Sequence, residues 1–302
     1  MSGENTTQPV RSSSFVARAE DAGKRLDVLL AERVPELSRR RARVLIAGGS
    51  VYVDGGRVLV HSRRIAAGAE VACHDNPFAS THREALDPAL VLHEDAALIA
   101  VDKPAGIPAH PTLARRQGTA LQLSEEWLRR RAGEKVPLLP VHRLDAGTSG
   151  ILLFAKTARA ARALSQNFAR RRVRKTYVAL VHGIPNPAEG EIRAPILESA
   201  YRSSVAAEGR EAITRYRTVR TFEGTSLLEV EPLTGRMHQI RVHLASIGHP
   251  VIGDTRYGSP DSGRLHLHAA RLELPHPDGG APLVIESPPP AEWSARFAKD
   301  SA

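Results

Sequence analysis

The sequence predicts an α+β protein with two folded units, and three observations support this prediction. The chain has 302 residues, and at roughly 150 residues per domain two domains are expected. Short strand-like and helix-like runs alternate without the regular strand–helix–strand rhythm of a parallel sheet. Residues 77–89 mix Pro, Ser, Thr and charged residues without periodicity, as linkers do. We therefore expect a disordered tail over 1–14, a small α+β unit over 15–76 and a larger domain over 90–302.

Two helices are expected in the small unit. Apolar residues recur at helical spacing over 26–34, and Pro35 ends that run. Ser38 is a suitable N-cap for a second helix over 39–47, because its hydroxyl can accept a hydrogen bond from the first turn. The glycines at 48–49 then end this helix.

Strands complete the small unit. Residues 51–53 and 58–60 flank the pair Asp54-Gly55, which predicts a hairpin around a tight turn. Residues 70–73 predict a further short strand. Two helices and a few short strands are enough for a small α+β domain.

The larger domain is expected to consist mainly of strands. Leu228 and Val230 alternate with Glu229 and Glu231, which marks a strand with one buried face. The run at 98–101 is apolar throughout and predicts a buried strand. The other predicted strands cover 151–155, 176–181, 212–222 and 226–231, and the last two form an antiparallel pair.

Two helices are expected among these strands, over 158–172 and 236–247. In the second helix, one stripe carries the apolar residues Met237, Ile240, Leu244 and Ile247. This stripe predicts the face that packs on the sheet.

Composition excludes several classes of protein. The single cysteine, Cys73, offers neither an internal disulfide nor a cysteine metal cluster, which fits a reducing, cytoplasmic compartment. No apolar run reaches the roughly 18 residues that a membrane span needs, so we expect no membrane association. The N-terminal residues lack the apolar core of a signal peptide.

The distribution of charge favours a polyanionic partner. The formal net charge is +9 and the pI is about 10.2, which favours a nucleic acid over a membrane surface. Residues 146–188 contain eight basic residues and no acidic ones. A second basic cluster lies on the predicted helix at 39–47 and consists of Arg39, Arg40, Arg41 and Arg43.

The most unusual stretch covers residues 141–150. It places Asp145 at the start of a glycine-containing turn just before a buried strand, and turns held by a rigid scaffold often carry catalytic groups. The alternative is that the carboxylate only accepts hydrogen bonds from the backbone of its own turn. From these residues alone, both interpretations remain open.

Other chemistries find little support. Ser149 is not in the Gly-x-Ser-x-Gly elbow of serine hydrolases. The pair His266 and His268, with His238 and His243, lacks the Glu and Cys partners of familiar zinc motifs, so we expect no metal. No glycine-rich phosphate loop is present either.

Four ordered motifs resemble those of the RluA-type pseudouridine synthases. They are HRLDAGTSGILLFAKT, RKTYVALVHG, LTGRMHQIRVHLASIGHPVIGD and RLHLHAARLELPHP, and the resemblance covers about residues 90–290. Upstream, DKPAGIPAHP is similar to another family segment, with Asp102 where Asn is usual. The segment RLDVLLAERVPELSRRRARVLIAGGSVYVDGG resembles the S-four-like RNA-binding module often fused to these enzymes.

The resemblance implies a pseudouridine synthase fold with a mixed, mainly antiparallel sheet, and isomerisation of uridines within RNA. Asp145 matches the family's essential carboxylate, which must be ionised to attack ribose C1′ or to assist proton removal there. Arg241 matches the arginine that pairs with this carboxylate. Tyr177 matches the active-site tyrosine, which packs on the base and is a candidate for moving the C5 proton. The family needs no metal, nucleotide or redox cofactor, so we expect none.

The same resemblance implies that the target nucleotide flips out of its helix. Arg143 matches a residue that moves into the vacated stack, and Leu244 matches an apolar wall of the pocket. His142, Lys175 and His238 lie in the same motifs and are expected to contact the substrate. The expected partner is RNA, with ribosomal RNA of the large subunit favoured and transfer RNA as the alternative. We expect a monomer.

Two other classes compete with the enzyme. A non-catalytic RNA-binding or ribosome-assembly factor would not need Asp145, Tyr177 and Arg241 together. A metallohydrolase fails on the spacing of its histidine ligands. Within pseudouridine synthases, the HRLD-x-x-TSG form favours the RluA type over the small-subunit type.

Overall fold

The structure is a computed structural model that describes residues 13–35, 37–47, 50–54, 56–58, 60–73, 85–111, 118–199, 202–261 and 263–295. The described residues form two compact units, one mainly from 13–73 and the other from 85–110 and 120–295. Within the described residues, no helix is long and apolar enough to cross a bilayer.

The small unit packs two helices on a four-stranded antiparallel sheet with strand order β1-β4-β2-β3. Its core consists of apolar side chains from both helices and from the sheet, including Leu26, Leu30, Ile46 and Val71. Ser38 begins the second helix as expected, with its Oγ accepting from the backbone N–H of Arg41 at 3.2 Å. The elements are β1 (Ser13–Val16), α1 (Leu26–Arg33), α2 (Arg39–Ala47), β2 (Val51–Val53), β3 (Gly56–Arg57) and β4 (Glu70–Cys73).

Two boundaries differ from the sequence prediction. Ser13 and Ser14 belong to β1 and pair with β4, so the predicted tail over 1–14 extends too far. Leu86 is buried, and its backbone N–H donates to the carbonyl of Leu123 at 3.0 Å, so the predicted linker over 77–89 also extends too far. In both cases, pairing with a distant segment orders residues whose local sequence predicts none.

The second strand of the hairpin lies earlier than the predicted run at 58–60 and is shorter. β3 covers only Gly56–Arg57, and Val58 is buried beyond the end of that strand. Asp54 adopts a left-handed conformation (φ 52°), and its Oδ1 accepts from the backbone N–H of Glu70 at 2.9 Å. Gly55 and the glycines at 48–49 lie outside the described residues.

The larger unit is built on a ten-stranded sheet, which confirms the α+β class. Its main path runs β10-β13-β14-β9-β15-β8-β6-β5, with β16 paired to β15 and β7 paired to β8. Every described pair is antiparallel except β8 with β15. The strands are β5 (Val91–Glu94), β6 (Leu98–Lys103), β7 (Leu139–Pro140), β8 (Ser149–Ala155), β9 (Arg174–His182), β10 (Glu189–Arg193), β11 (Ile196–Glu198), β12 (Ser203–Val205), β13 (Ile213–Phe222), β14 (Thr225–Pro232), β15 (Leu267–Leu274) and β16 (Leu283–Glu286), of which β11 and β12 form a separate pair.

Both faces of strand β8 are covered, which explains its continuous apolar sequence. Leu152 and Phe154 pack in a core cluster with residues of helix α3, whereas Ile151 and Leu153 pack with residues of helix α4. The strand is therefore fixed between two apolar layers. The helices of this unit are α3 (Ala120–Ala132), α4 (Ala158–Ala169), α5 (Gln239–Ser246) and α6 (Ala291–Ala295).

Helix α5 is shorter than predicted, and its buried face is different. The helix begins after His238, which is left-handed (φ 57°), so Met237 lies outside it, and Ile247 is a partly exposed C-cap. Two polar residues are buried on α5 instead. Gln239 donates to the carbonyl of Ile213 at 2.9 Å, and His243 lies 2.8 Å from Thr214 Oγ1. Hydrogen bonds, rather than apolar periodicity alone, set the orientation of this helix.

Candidate active site

Asp145 lies in the turn that leads into β8. Leu144 anchors this turn in the core, and the backbone N–H of Thr148 donates to the carbonyl of Asp145 at 3.1 Å. Gly150 then adopts φ +105° where β8 meets β15. A Cβ at this position would lie 2.3 Å from the carbonyl oxygen of Ala269, so only glycine allows this close approach. The turn is therefore held by the two central strands of the sheet.

Lys103 ties a second loop to the same turn. Its fully buried ammonium donates to three backbone carbonyls: Pro104 at 2.9 Å, Ile107 at 2.8 Å and Ala146 at 3.2 Å. Burying an ammonium is costly unless its donors are satisfied, so these bonds fix the path of both loops. No local pattern predicts a role for Lys103, because its contact with residue 146 joins segments that are distant in sequence.

The carboxylate of Asp145 is paired with Arg241 on α5. Arg241 Nη1 donates to Asp145 Oδ2 at 3.0 Å. The same guanidinium makes two further bonds to Asp254, from Nε at 2.6 Å and from Nη2 at 2.8 Å. The Asp145 side chain is 17% exposed and that of Asp254 only 1%. Arg241 therefore makes two hydrogen bonds to Asp254 and only one to Asp145.

Asp254 is the residue of this site that the sequence analysis missed. It ends the motif LTGRMHQIRVHLASIGHPVIGD, so it was visible as a carboxylate close to Arg241 in sequence. A bidentate pair holds the plane of a guanidinium as well as its position. Asp254 thereby determines which N–H group of Arg241 faces Asp145.

A tyrosine and a histidine support the pair from the other side. The guanidinium of Arg241 lies 5.0 Å from the centre of the Tyr257 ring. The Tyr257 hydroxyl accepts from the backbone N–H of Ser203 at 3.0 Å and lies 2.8 Å from His238 Nδ1. Burial lowers the pKa of His238 to about 4, so the imidazole is neutral at pH 7. Its Nε2 lies 3.8 Å from Asp145 Oδ2.

Tyr177 lies on β9, opposite Val230 on one side and Ala269 on the other. Its partly buried ring packs against two core clusters. Burial raises the pKa of its phenol, and the negative charge of Asp145 raises it further. The phenol is therefore protonated at neutral pH.

The remaining predicted substrate contacts are not all brought to this site. His142 accepts a hydrogen bond from the backbone N–H of Leu153 at 2.9 Å, and its ring stacks on Phe168 of α4 at 4.7 Å. Burial, together with the charge of Lys175, lowers the pKa of His142 to about 3. This imidazole is neutral and packs with α4, and its contact with the substrate stays a prediction.

Leu244, Lys175 and Arg143 have different environments. Leu244 is fully buried in the cluster against which Tyr177 packs, so it supports the site from within the core. Lys175 donates to the carbonyl of Thr234 at 3.3 Å, and burial lowers its pKa. Arg143 is exposed, two residues before Asp145 in sequence. Burial lowers the pKa of His110, and the charge of Arg143 lowers it further.

The basic segment 146–188 is less positive than its sequence indicates. Four of its basic side chains pair with acidic residues from other parts of the chain, at 2.7–3.1 Å. Arg162, Arg170 and Arg172 are exposed and have no acidic partner among the described residues. The neutralised side chains are Lys156, Arg159, Arg171 and Arg174.

The four arginines predicted to contact RNA in the small unit also separate into two groups. Arg39 and Arg43 both donate to the buried carboxylate of Asp27. Arg40 is exposed, and Arg41 is partly buried with Nε lacking a partner in the described part of the chain. Among the described residues, no group of three or more His, Cys, Asp or Glu is arranged to hold a metal ion.

Comparisons with known proteins show which proteins and domains this chain resembles. Residues 97–246 match the RNA pseudouridylate synthase family, and residues 24–71 match the S4 domain. A ribosomal large subunit pseudouridine synthase D from Nitrosomonas europaea is 38% identical, covering 91% of this chain and 83% of that protein. An uncharacterised RNA pseudouridine synthase from Aquifex aeolicus is 35% identical, covering 93% and 95%. The structure of human RNA pseudouridylate synthase domain containing 4 has a TM-score of 0.61 and 26% identity, covering 70% of this chain and 94% of that one.

Proposed function

The chain belongs to the RNA pseudouridylate synthase family and is an isomerase that acts on RNA, and on this premise we propose that Asp145 carries out the isomerisation of specific uridines in structured RNA. The observation that supports this role is the chain of contacts from Asp145 through Arg241 to Asp254. An arginine that is itself held by a second carboxylate gives Asp145 a fixed direction. Such pre-organisation is what a reacting group needs.

In the proposed reaction, the bond between uracil N1 and ribose C1′ breaks, the base turns, and a bond between C5 and C1′ forms. The C5 proton leaves and N1 gains a proton, so no redox partner is required. Ionised Asp145 either attacks C1′ and is displaced when C5 bonds C1′, or takes a proton from the ribose and returns it after C5 has bonded C1′, and only the anion can do either. Arg241 keeps it aimed.

We assign Tyr177 to the base. Its ring lies on β9, which β15 separates from β8, and it is near enough to Asp145 for that charge to raise the pKa of its phenol. The ring provides an apolar surface on which uracil can pack. Because burial keeps the phenol protonated, it can take the C5 proton only as it releases its own. Tyr177 is therefore a relay in this proposal, not a free base.

The shielding of Asp145 and Arg241 requires the nucleotide to leave its helix. Their side chains are 17% and 11% exposed, so a stacked uridine does not reach them. Flipping a base costs a few kcal/mol, and part of this cost is recovered when a side chain fills the gap. Exposed Arg143, two residues before Asp145, is the side chain proposed for this position.

The proposed substrate is RNA of the large ribosomal subunit, with transfer RNA as the alternative outcome. The names of the relatives from Nitrosomonas europaea and Xanthomonas campestris support this choice; the latter is 34% identical over 96% of this chain and 93% of that protein. The S4 domain provides a second region for RNA contacts. We propose that the protein acts as a monomer, which light scattering after gel filtration would test.

The test uses C5-tritiated RNA purified from a strain that lacks this protein, because its target uridines are then unmodified. Asp145→Asn should fold and bind RNA but release tritium several orders of magnitude more slowly, since it keeps the size of the side chain and loses the anion. Asp278→Asn, which changes an Asp that pairs with Arg159 on the surface, is the matched control. Turnover by Asp145→Asn within about tenfold of the unaltered protein would remove Asp145 from the mechanism. Tritium release only from the transfer RNA fraction would replace the proposed substrate.

A further inference from the structure

Three arginines of the small unit converge on one buried carboxylate. Asp27, near the start of α1, is fully buried. Arg25 Nε donates to Asp27 Oδ1 at 2.9 Å, whereas Arg39 Nε and Arg43 Nε donate to Oδ2 at 3.1 and 2.6 Å. His61 Nδ1 lies 3.0 Å from Arg25 Nη2. The three guanidinium groups therefore lie around a single point.

This cluster carries surplus positive charge. Three guanidinium groups share one carboxylate, and no other acidic partner of Arg25, Arg39 or Arg43 occurs among the described residues. The side chains of the three arginines are 35%, 50% and 45% exposed, respectively. The excess charge is thus open to solvent, although the carboxylate is not.

A second buried carboxylate in the same unit shows a different arrangement. Asp21 is also fully buried, and it is bound by Lys24 at 3.2 Å and by Arg33 at 2.6 Å. Each of these cations has an additional acidic partner: Glu32 for Lys24 and Glu20 for Arg33. Arg18 also pairs with Glu20 at 3.6 Å, so three cations face three carboxylates around Asp21, as expected for ion pairs that only support the fold. The network around Asp27 is not balanced.

Several N–H groups of the cluster also have no hydrogen-bond partner among the described residues. Arg39 and Arg43 each bond Asp27 through Nε alone, so within the described residues both of their Nη groups lack a partner. Burial acts to raise the pKa of Asp27, but the bonds from Arg25, Arg43 and Arg39 hold it well below its usual value. The carboxylate is therefore ionised at neutral pH and fixes three Nε groups. Arg39 and Arg43 keep both Nη groups for phosphate oxygens, whereas Arg25 also bonds Asp27 Oδ2 through Nη2 at 3.3 Å.

We propose that Asp27 is a positioning residue that assembles Arg25, Arg39 and Arg43 into a binding site for an RNA backbone phosphate. Asp27 does not touch the RNA. It holds the long arginine side chains in place before binding, so that less conformational entropy is lost when a phosphodiester oxygen enters. The inference rests on the proposed function only in that RNA is the ligand.

Fewer arginines of helix α2 contact RNA in this site than the sequence predicts. The sequence predicts that four arginines of α2 contact RNA. The cluster contains only two of them, Arg39 and Arg43, and adds Arg25, which directly precedes α1. Arg40 is exposed on the same helix and has no acidic partner among the described residues. It is therefore a matched control for charge, residue type and helix.

The decisive variant is Asp27→Asn in the full chain. If only net charge attracted RNA, removal of a negative charge would tighten binding. If Asp27 positions the arginines, the same substitution weakens binding, by about tenfold, because three long side chains lose their fixed geometry. Affinity is measured by fluorescence anisotropy with a labelled stem–loop transcribed from large-subunit ribosomal RNA, over a series of salt concentrations. Circular dichroism verifies that the variant is folded.

Single arginine variants keep the test decisive if Asp27→Asn unfolds the small unit. Arg43→Gln should weaken binding about tenfold and lower the salt slope by about one, whereas Arg40→Gln should change both much less. In folded Asp27→Asn, Arg43→Gln should have little additional effect, since the site is already disassembled. Equal losses for Arg40→Gln and Arg43→Gln, or tighter binding by folded Asp27→Asn, would overturn the proposal.

A separate measurement distinguishes failure of this inference from failure of the proposed function. Tritium release from C5-labelled RNA at saturating enzyme reports the chemistry at Asp145. The Arg40→Gln variant should release tritium as the unaltered protein does, whereas Arg43→Gln should require more enzyme to reach a given rate. A protein that releases no tritium from any RNA would refute the proposed function, and the binding comparison would still decide the role of Asp27.

Discussion

Asp254→Asn tests whether the second carboxylate controls catalysis without contacting the substrate. The substitution keeps the shape of a side chain that is 1% exposed and makes two bonds to Arg241, at 2.6 and 2.8 Å. An asparagine offers one oxygen, and its amide N–H₂ then faces a guanidinium N–H. One charge-assisted bond is lost and a contact between two donors replaces it.

The magnitude follows from these contacts. Loss of one charge-assisted hydrogen bond costs about 1.5–3 kcal/mol of stability. The larger cost of about 3–5 kcal/mol for an orphaned buried charge does not apply, because Asp145 still faces Arg241 at 3.0 Å. The guanidinium, no longer held by both bonds to Asp254, can turn toward Asp145 and displace its carboxylate. A displacement of about 1 Å at a reacting group can cost roughly a hundredfold in rate.

The assay combines three measurements on Asp254→Asn and on the surface control Asp278→Asn. Urea unfolding gives stability, filter binding gives RNA affinity, and single-turnover tritium release from C5-labelled RNA gives the chemical step. We expect a roughly hundredfold slower chemical step with RNA affinity nearly unchanged. A single-turnover rate within about threefold of the unaltered protein would refute the reasoning, because Asp254 would then stabilise the fold without aiming Arg241.

Three further predictions use the same assays. Arg241→Lys should slow single turnover by about a hundredfold although it preserves charge, because an ammonium cannot bond both Asp254 and Asp145 in a fixed plane; a normal rate would assign Arg241 to phosphate binding instead. A chain that begins at residue 85 should stay folded, as its own core cluster implies, but bind RNA less tightly with a lower salt slope, and an unchanged slope would show that the small unit does not contact this RNA. Because burial depresses the pKa of His142 to about 3, the unfolded chain binds a proton at a higher pH than the folded protein does. The free energy of unfolding should therefore decrease as the pH falls from 6.5 toward 3, by up to about 5 kcal/mol. His142→Gln should flatten that part of the urea-unfolding profile, and an unchanged profile would show that His142 does not titrate on unfolding.

Local signals predicted the small unit better than its surroundings. The bounds of α2 agree with the sequence prediction, because a serine cap before its start and two glycines after its end are visible within a few residues. Ser13 and Leu86 were assigned to a tail and a linker, since their order depends on partners that are distant in sequence. Pairing of that kind leaves no local pattern.

The motifs predict residues of the candidate site but not the partners of those residues. The resemblance named Asp145 and Arg241, but no spacing rule connects Arg241 to Asp254 or Lys103 to the carbonyl of Ala146. These contacts exist because separate loops converge at one end of the sheet. Only the three-dimensional structure shows which loops converge.

Polar residues inside the core account for the remaining errors. Gln239 and His243 are buried on α5, where periodicity favoured Met237 and Ile247, because each satisfies its polar atoms through hydrogen bonds. His142 stands beside the reactive turn in sequence but packs with α4. A histidine in a motif looks the same in both roles until its neighbours are known.

The parallel contact between β8 and β15 has a consequence for how the enzyme acquires activity during synthesis. Ser149 on β8 bonds His268 on β15 across 119 residues of chain, and Asp145 meets Arg241 across 96. Closing loops of this length is slow, and β15 leaves the ribosome long after Asp145. A nascent chain released before β15 therefore carries Asp145 without the strand that places it. Such fragments should be catalytically silent even where β5, β6 and β8 have already paired, so that premature termination yields no partially active modifier of RNA.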